Sequence, residues 1–192
     1  MKYALISVYD KTGIVDFARE LVKLGFEIIA TEGTFKTLTE AGIHRIIHVS
    51  DITEFPEMLG GRIKTEHPKL IGALLALRKN QEHMKELERL GIRPIDLVVC
   101  NLYPLYQTGI NSTDVNNFLE QIDIGGPNMI RAAAKNFGSI AIIVNSNRYT
   151  QVVREYKKNG ELSLKTKKKL AIEAFKVTAR YDSKIYRLLE SI

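Results

Sequence analysis

Short apolar runs alternate with helical patterns through the first fifty residues, and this alternation restricts the possible folds more than any other feature of the chain. Segments at Tyr3–Tyr9, Phe26–Ala30 and Arg45–Ser50 predict three buried strands. The two segments between them carry apolar residues at helical spacing and end at Gly25 and Gly42. Such an order indicates right-handed βαβ units and therefore an α/β fold, a parallel sheet with helices on both faces.

The middle of the chain continues this pattern less regularly. We predict further strands at Asp96–Asn101 and Ile140–Asn145 because both are short apolar segments. We predict helices at Gln81–Leu90, Thr113–Ile122 and Asn128–Phe137.

The last part of the chain is helical and carries all of the excess positive charge. We predict one α/β domain at residues 1–150 and C-terminal helices at residues 151–192 that belong to the same domain, with a break near Gly160. Residues 1–150 hold 17 basic and 17 acidic side chains, whereas residues 151–192 hold 11 basic and 5 acidic ones. The lysine run in these helices has no interleaved aromatic residues, which favours a solvated helix face over a nucleic-acid surface.

Composition excludes several classes of protein. Cys100 is the only cysteine, so the chain cannot form an internal disulfide framework, and the four histidines show no metal-ligand spacing. No apolar run approaches the roughly 20 residues that a membrane span requires, and the first residues do not resemble a signal peptide. We therefore expect a cytoplasmic protein without a metal site or a membrane partner.

Polar or glycine-containing segments follow the predicted strands, at the sheet edge where parallel α/β proteins bind ligands. One of them, Thr31–Thr34, is a turn into a predicted helix that Thr34 would cap and that would stop at Gly42. The free N–H groups of such a turn can bind a phosphate. On this motif alone, an ordinary strand-to-helix turn is the better interpretation.

Two further clusters contain residues suited to catalysis. Arg62 and Lys64 follow a glycine pair and point the same way if the segment is extended, which would suit a phosphate or an oxyanion. A solvated basic loop explains them equally well. Asp123 precedes Lys135 by twelve residues, and a carboxylate beside a lysine can tune it as an acid or base. A surface ion pair would be the default if these two residues stood alone.

Five linked segments match the motifs of one family in order and at similar spacing. They are Ser7–Gly13, Glu57–Thr65, Cys100–Pro104, Ile122–Pro127 and Arg131–Asn136. Together they resemble the IMP cyclohydrolase part of the bifunctional purine-biosynthesis enzymes, and the resemblance covers essentially the whole chain. It implies a methylglyoxal-synthase-like, Rossmann-like α/β fold and a homodimer. It also implies ring closure of 5-formamidoimidazole-4-carboxamide ribotide (formyl-AICAR) to inosine 5′-monophosphate (IMP) and water, without a metal or organic cofactor.

The resemblance also implies roles for the matching residues. Lys135 would be the proton donor and acceptor, Asp123 would hold its charge state, and Lys64 and Tyr103 would face the reacting oxygen. The sequence leaves open whether Lys64 or Lys135 is the general base. The residues that would line the nucleotide site are Ser7, Tyr9, Asp10, Lys11, Thr31, Glu32, Gly33, Thr34, Arg62, Ile63, Thr65, Cys100, Asn101, Ile124, Gly125 and Gly126.

The sequence departs from the family pattern around the predicted pocket. Glu32 stands where the family has a glycine, so its carboxylate must face solvent or weaken phosphate binding. Glu66 stands where the family has leucine, and Ile71–Ala73 replaces a segment with a histidine and a second glycine. The formyltransferase domain is absent as well. The chain is therefore either an excised domain or a free-standing enzyme supplied by a separate AICAR formyltransferase.

Three other functions compete with ring closure. The first is a non-catalytic regulatory module of the same fold that binds a phosphorylated metabolite, which Glu32 and the missing domain favour. The second is a methylglyoxal synthase acting on a triose phosphate, against which the Asp123 and Lys135 segment and the long C-terminal helices argue. Nucleic-acid binding through residues 157–169 ranks last, and we expect no nucleic-acid partner.

Overall fold

Five parallel strands form one sheet in the computed structural model, which describes residues 1–105 and 115–190 except for the side chain of Asn117. The strands are β1 (Lys2–Val8), β2 (Phe26–Ala30), β3 (Ile46–His48), β4 (Leu97–Asn101) and β5 (Ala141–Ile143). Their spatial order is β3-β2-β1-β4-β5, and each neighbouring pair is parallel. The predicted parallel α/β sheet is therefore confirmed.

Helices connect the strands and cover both faces of the sheet. They are α1 (Ile14–Lys23), α2 (Glu32–Glu40), α3 (Val49–Thr53), α4 (Pro68–Leu75), α5 (Gln81–Arg89), α6 (Val115–Glu120), α7 (Gly125–Lys135), α8 (Tyr149–Asn159) and α9 (Leu164–Glu190). No helix within the described residues is both long enough and apolar enough to cross a membrane.

The core has two layers, one on each face of the sheet. Side chains alternate along a strand, so β1 places Ala4 and Ile6 in one layer and Tyr3 and Leu5 in the other. The first layer packs under α1 and α8, and the second packs under α4 and α7. Burial on both faces explains why β1 is apolar throughout in the sequence.

Two helices begin earlier than the sequence predicts. The first residue of α2 is Glu32, with Thr31 as its N-cap, because the hydroxyl of Thr34 accepts the N–H of Val8 at 3.2 Å instead of capping the helix. The first residue of α7 is Gly125 rather than Asn128. In addition, the short helices α3 and α4 are absent from the sequence-based prediction.

The C-terminal helices pack onto the α/β core. The predicted break is confirmed at Gly160, whose φ of 74° ends α8 in the left-handed region. The longest helix, α9, packs against α7 and β5. Two ends of predicted helical segments lie outside the described residues, namely Thr113 with Asp114 and the last two residues, Ser191 and Ile192.

Candidate active site

A cavity of about 960 Å³ opens at the carboxyl edge of the sheet, where β1, β2 and β4 end. Ligands of parallel α/β sheets bind at this edge. The predicted site residues that line the cavity are Ser7, Tyr9, Thr31, Glu32, Gly33, Arg62, Lys64, Thr65, Asn101, Tyr103, Asp123, Ile124, Gly125 and Gly126. Most of the predicted site thus surrounds a single cavity, although its residues come from well-separated parts of the chain.

One side of the cavity, called here the α2 side, is the start of α2. The N–H groups of Glu32 and Gly33 have no acceptor within the described residues, and the Thr31 hydroxyl donates to the Ser7 hydroxyl at 3.1 Å. The ammonium group of Lys11 donates to two backbone carbonyls at 3.3 and 3.4 Å and lies 3.9 Å from where a side chain at Gly33 would begin. An open helix start beside a cation can bind an anion such as phosphate.

The carboxylate of Glu32 turns away from the open start of its own helix. Its Oε2 atom lies 3.0 Å from Nε2 of His48, the last residue of β3. The Glu32 side chain is 66% exposed. Its carboxylate is therefore largely exposed and lies against a histidine, in keeping with the expectation that it faces solvent.

The other side of the cavity, the α7 side, is the start of α7. The Asp123 carboxylate accepts the N–H of Gly126 at 2.8 Å, and the backbone N–H of Asp123 donates to the Tyr181 hydroxyl at 2.8 Å. Burial raises the pKa of Asp123, and the Glu66 carboxylate adds to this rise, whereas the Gly126 N–H and Lys64 oppose it. A carboxyl group with a raised pKa is better suited to exchange protons near neutral pH.

Arg62 and Lys64, which follow the Gly60–Gly61 pair, each contact an acid. The guanidinium group of Arg62 contacts the carboxylate of Glu120 through two nitrogens, which raises the pKa of Arg62 and lowers that of Glu120. The Nζ atom of Lys64 lies 3.5 Å from Oε2 of Glu57. The predicted extended segment is wrong, because Leu59–Gly61 forms a 3₁₀ turn and Arg62 has helical backbone angles. Both cations nevertheless line the cavity.

Tyr9, Asn101 and Tyr103 lie between these two sides. The ring centroids of Tyr9 and Tyr103 are 4.2 Å apart, and a hydrogen bond with Tyr103 raises the pKa of Tyr9. Asn101 accepts the N–H groups of Tyr9 and Asp10 at 2.7 and 3.0 Å and donates to the Asp10 carbonyl at 2.8 Å. Asn101 therefore fixes the loop after β1. Tyr103 is better placed than Asn101 to meet a ligand, because the side-chain amide of Asn101 is already bonded to that loop.

Some predicted binding residues do not line this cavity. Thr34 and Cys100 are buried, at 1% exposure each, and burial raises the pKa of the Cys100 thiol. Ile63 lies in the backbone of the turn that carries Lys64, outside the cavity lining. Asp10 and Lys11 line a neighbouring groove, although the Lys11 ammonium also approaches Gly33. Thr34 and Cys100 thus support the site from within the core.

Lys135 does not approach Asp123 within one copy of the chain. The helix α7 begins two residues after Asp123 and ends at Lys135, so a rise of about 1.5 Å per residue separates them by roughly 15 Å. The Lys135 side chain is exposed at the far end of the helix. The prediction that Asp123 holds the charge state of Lys135 is therefore wrong for a single chain.

The sequence pattern does not reveal that Glu66, Glu120 and His48 contact residues of the site. Glu66 is one of them, and its Oε2 accepts the N–H groups of Lys64 and Thr65 at 2.9 and 3.0 Å. Another is Glu120, which is 58 residues from its partner Arg62. No short motif signals a pairing over such a distance. Within the described residues, no group of three or more His, Cys, Asp or Glu side chains is arranged to hold a metal ion.

Comparison with known families and sequences gives matches over nearly the whole chain. The MGS-like domain model matches residues 13–128, and the AICARFT/IMPCHase bienzyme model matches residues 133–192. The chain is 55% identical over 186 residues to the bifunctional purine biosynthesis protein PurH of Persephonella marina. It is 52% identical over 190 residues to PurH of Acetivibrio thermocellus. These alignments cover 97% and 98% of this chain but 36% and 37% of the relatives, so the chain spans little more than a third of their length.

A solved structure shows the same fold. The crystal structure of ForH superposes with a TM-score of 0.87 at 33% sequence identity, and the alignment covers 98% of both chains. Together with the five-stranded parallel sheet, the match to the first family model over more than half of the sequence establishes the relationship. The chain belongs to the MGS-like domain family, and its C-terminal part matches the AICARFT/IMPCHase bienzyme family.

Proposed function

We propose that the chain closes the second ring of the purine base, converting formyl-AICAR to IMP and water. The observation that carries this proposal is the cavity itself, which joins an open helix start beside Lys11 to a half-buried carboxyl group, Asp123, beside Lys64. The names of the PurH relatives and the bienzyme model support a place in purine biosynthesis.

The α2 side would hold the 5′-phosphate of the substrate. The free N–H groups of Glu32 and Gly33 and the hydroxyl of Ser7, which accepts from Thr31, are donors, and Lys11 supplies positive charge. Ring closure is intramolecular, so fixing the phosphate and the base in one orientation lowers the barrier through positioning. It is a dehydration that transfers no electrons, and the proposal therefore includes no redox cofactor.

The α7 side would carry out the proton transfers. Asp123, as the carboxylate, takes a proton from the carboxamide nitrogen while that nitrogen bonds to the formyl carbon. The oxygen of the formyl group becomes an oxyanion, which the ammonium group of Lys64 and the hydroxyl of Tyr103 stabilise. Asp123 returns the proton to this oxygen. The resulting hydroxyl group then leaves as water with the proton of the formamide nitrogen, and the C=N bond of the new ring forms.

Lys135 enters this proposal through a second copy of the chain. The resemblance gives Lys135 a catalytic role and implies a homodimer, whereas one copy places Lys135 about 15 Å from Asp123. We propose that a homodimer brings Lys135 of one copy to the cavity of the other. Lys135→Ala and Asp123→Asn proteins should each be impaired, and mixing them at equal amounts with subunit exchange should restore about a quarter of the wild-type activity. Full activity of Lys135→Ala, or no recovery on mixing, would contradict the shared site.

The function is tested with purified protein and formyl-AICAR, following the appearance of IMP by absorbance and chromatography. We expect turnover without added metal or folate. Asp123→Asn is the matched control because it keeps the shape of the side chain. Binding of IMP without ring closure would overturn the proposal and favour the regulatory module that binds a phosphorylated metabolite.

A further inference from the structure

His48 stands beside the α2 side without belonging to any site described so far. It ends β3 and pairs in the sheet with Ala30, two residues before Glu32. Its Nε2 atom is buried and lies 3.0 Å from Oε2 of Glu32. No hydrogen bond of ordinary geometry reaches this atom within the described residues, so the contact is chiefly an attraction between the N–H dipole or charge and the carboxylate.

The environment of the His48 ring fixes which nitrogen carries its proton. The Nδ1 atom accepts the N–H of Ser50 at 3.3 Å and lies 2.6 Å from the Ser50 hydroxyl. The ring of Phe35 packs edge-on at a centroid distance of 5.1 Å. With Nδ1 acting as an acceptor, the proton of the neutral ring lies on Nε2. The Nε2–H group therefore lies against the Glu32 carboxylate without pointing straight at it.

The position of Glu32 makes this contact important for an anionic ligand. Glu32 is the first residue of α2 and lines the cavity, and its own N–H is one of the groups free to bind a phosphate. A carboxylate that swung toward the helix start would be attracted to the same N–H groups. It would also repel a phosphate dianion at close range.

We infer that His48 is a positioning residue that holds the carboxylate of Glu32 away from the open start of α2 and so favours phosphorylated over unphosphorylated ligands. The inference rests on the proposed function for the identity of the ligand, a purine nucleoside 5′-monophosphate. It assigns His48 a role in ligand specificity without contact between His48 and the ligand.

The sharpest variant is His48→Asp. His48 is the N-cap of α3, and an aspartate can accept the N–H of Ser50 in the same way, so the cap is retained. The variant nevertheless replaces the N–H group that faces Glu32 with a second carboxylate. His48→Ala removes the attraction without adding repulsion and serves as the intermediate case.

The measurement is calorimetric titration of the full chain with IMP and, separately, with inosine, which lacks the phosphate. For His48→Ala we expect IMP to bind about two- to fivefold more weakly, the size of effect typical of losing one weak polar contact at a partly exposed site. For His48→Asp we expect a larger loss. The affinity for inosine should stay the same in both. In steady-state assays the loss should appear in KM rather than in kcat.

Rescue separates a positioning role from a structural one. Adding Glu32→Gln to His48→Asp should restore IMP binding to the level of Glu32→Gln alone, because the side chain at position 32 then has no charge to compete with the phosphate. His44→Ala is the matched control, since His44 is an exposed histidine just before the other end of β3. Thermal melting of every variant shows whether the fold is retained.

The outcomes distinguish a failure of the inference about His48 from a failure of the proposed function. Unchanged IMP binding in His48→Asp, or a loss that Glu32→Gln does not restore, would overturn the role of His48 alone. If the wild-type chain binds IMP but forms none from formyl-AICAR, the proposed reaction fails while the role of His48 is still measured. If the wild-type chain binds no IMP, both fail.

Discussion

The helices α2 and α7 both begin at the same cavity, and their first turns are built differently. At α7 the chain supplies its own anion, because Asp123 accepts the N–H of Gly126. At α2 the N–H groups of Glu32 and Gly33 have no acceptor within the described residues, and the Glu32 carboxylate lies against His48. Two successive N–H groups at the α2 side are therefore open to an external anion, whereas the α7 side holds a carboxyl group suited to proton transfer.

Gly126 in the first turn of α7 and Gly33 in the first turn of α2 differ in the space around them. A side chain at Gly126 would collide with the Asp123 carboxylate and would lie 2.7 Å from Leu102. A side chain at Gly33 would meet the Lys11 ammonium at 3.9 Å and no other atom of the described residues within 4 Å. Gly126 is thus required by packing around Asp123, while Gly33 leaves space that a ligand can use.

The largest expected effect is on catalysis at the α7 side. Asp123→Asn should lower kcat by about 10²- to 10⁴-fold, because the amide can still accept the Gly126 N–H but cannot exchange the substrate proton. Steady-state conversion of formyl-AICAR measures this loss, and calorimetry should show that IMP still binds. A variant with near-normal kcat would mean that the proton is transferred elsewhere.

The next effect is on affinity at the α2 side. Lys11→Met should weaken IMP binding by about 10- to 100-fold, since a charge-assisted contact to phosphate contributes about 1.5–3 kcal/mol. Inosine, titrated in parallel, should bind the variant and the wild type alike. An equal loss for both ligands would place the role of Lys11 in the fold of the loop after β1 and not in phosphate binding.

Alanine substitutions at Gly126 and Gly33 should have a smaller effect, and they should change the free energy of unfolding in opposite directions. Gly126→Ala should lower the free energy of unfolding by about 1–3 kcal/mol because the added methyl group overpacks the turn. Gly33→Ala should raise it by about 0.4–1 kcal/mol, since Gly33 lies in a helix with open space around it. Urea unfolding of both variants measures the contrast. Equal destabilisation would contradict the difference in packing.

The smallest effect is a pH dependence of stability at the α7 side. The pKa of Asp123 is raised above 3.8 in the folded chain, chiefly by burial, so the folded state binds the proton more tightly than the unfolded state. The wild-type chain should therefore lose stability as the pH rises from 3.8 through the folded-state pKa. Asp123→Asn lacks this titration, so its stability relative to the wild type should rise over the same window. Urea unfolding across this pH window measures the difference, and parallel curves would contradict it.

The sequence predicts the fold well because the signals of the sheet are local. The strand Phe26–Ala30 is predicted with the bounds that the structure has, since a buried parallel strand is a continuous apolar run. The start of α2 is misplaced because the hydroxyl of Thr34 bonds to Val8, a contact over 26 residues. Such tertiary contacts leave no periodicity in the sequence.

The candidate site is predictable as a set of residues but not as an arrangement. Motif resemblance groups Asp123, Lys64 and Tyr103, and the structure places all three around one cavity. The resemblance does not show that Arg62 and Lys64 are held by Glu120 and Glu57, since side chains pair through space. The distance between Lys135 and Asp123 is missed for a simpler reason, because a motif gives positions along the chain and not the length of the helix between them.

The hydrogen bond between Tyr181 and the backbone of Asp123 gives the last helix a mechanical role. The 27-residue helix α9 is a stiff rod, and Tyr181 lies 17 residues, or about 26 Å, from its first residue, Leu164. A rotation of about three degrees around that first turn would displace the Tyr181 backbone by roughly 1.4 Å at this lever length. Displacements of about 1 Å are enough to disturb catalytic geometry. The packing of α9 against α7 and β5 therefore helps to fix the position of Asp123.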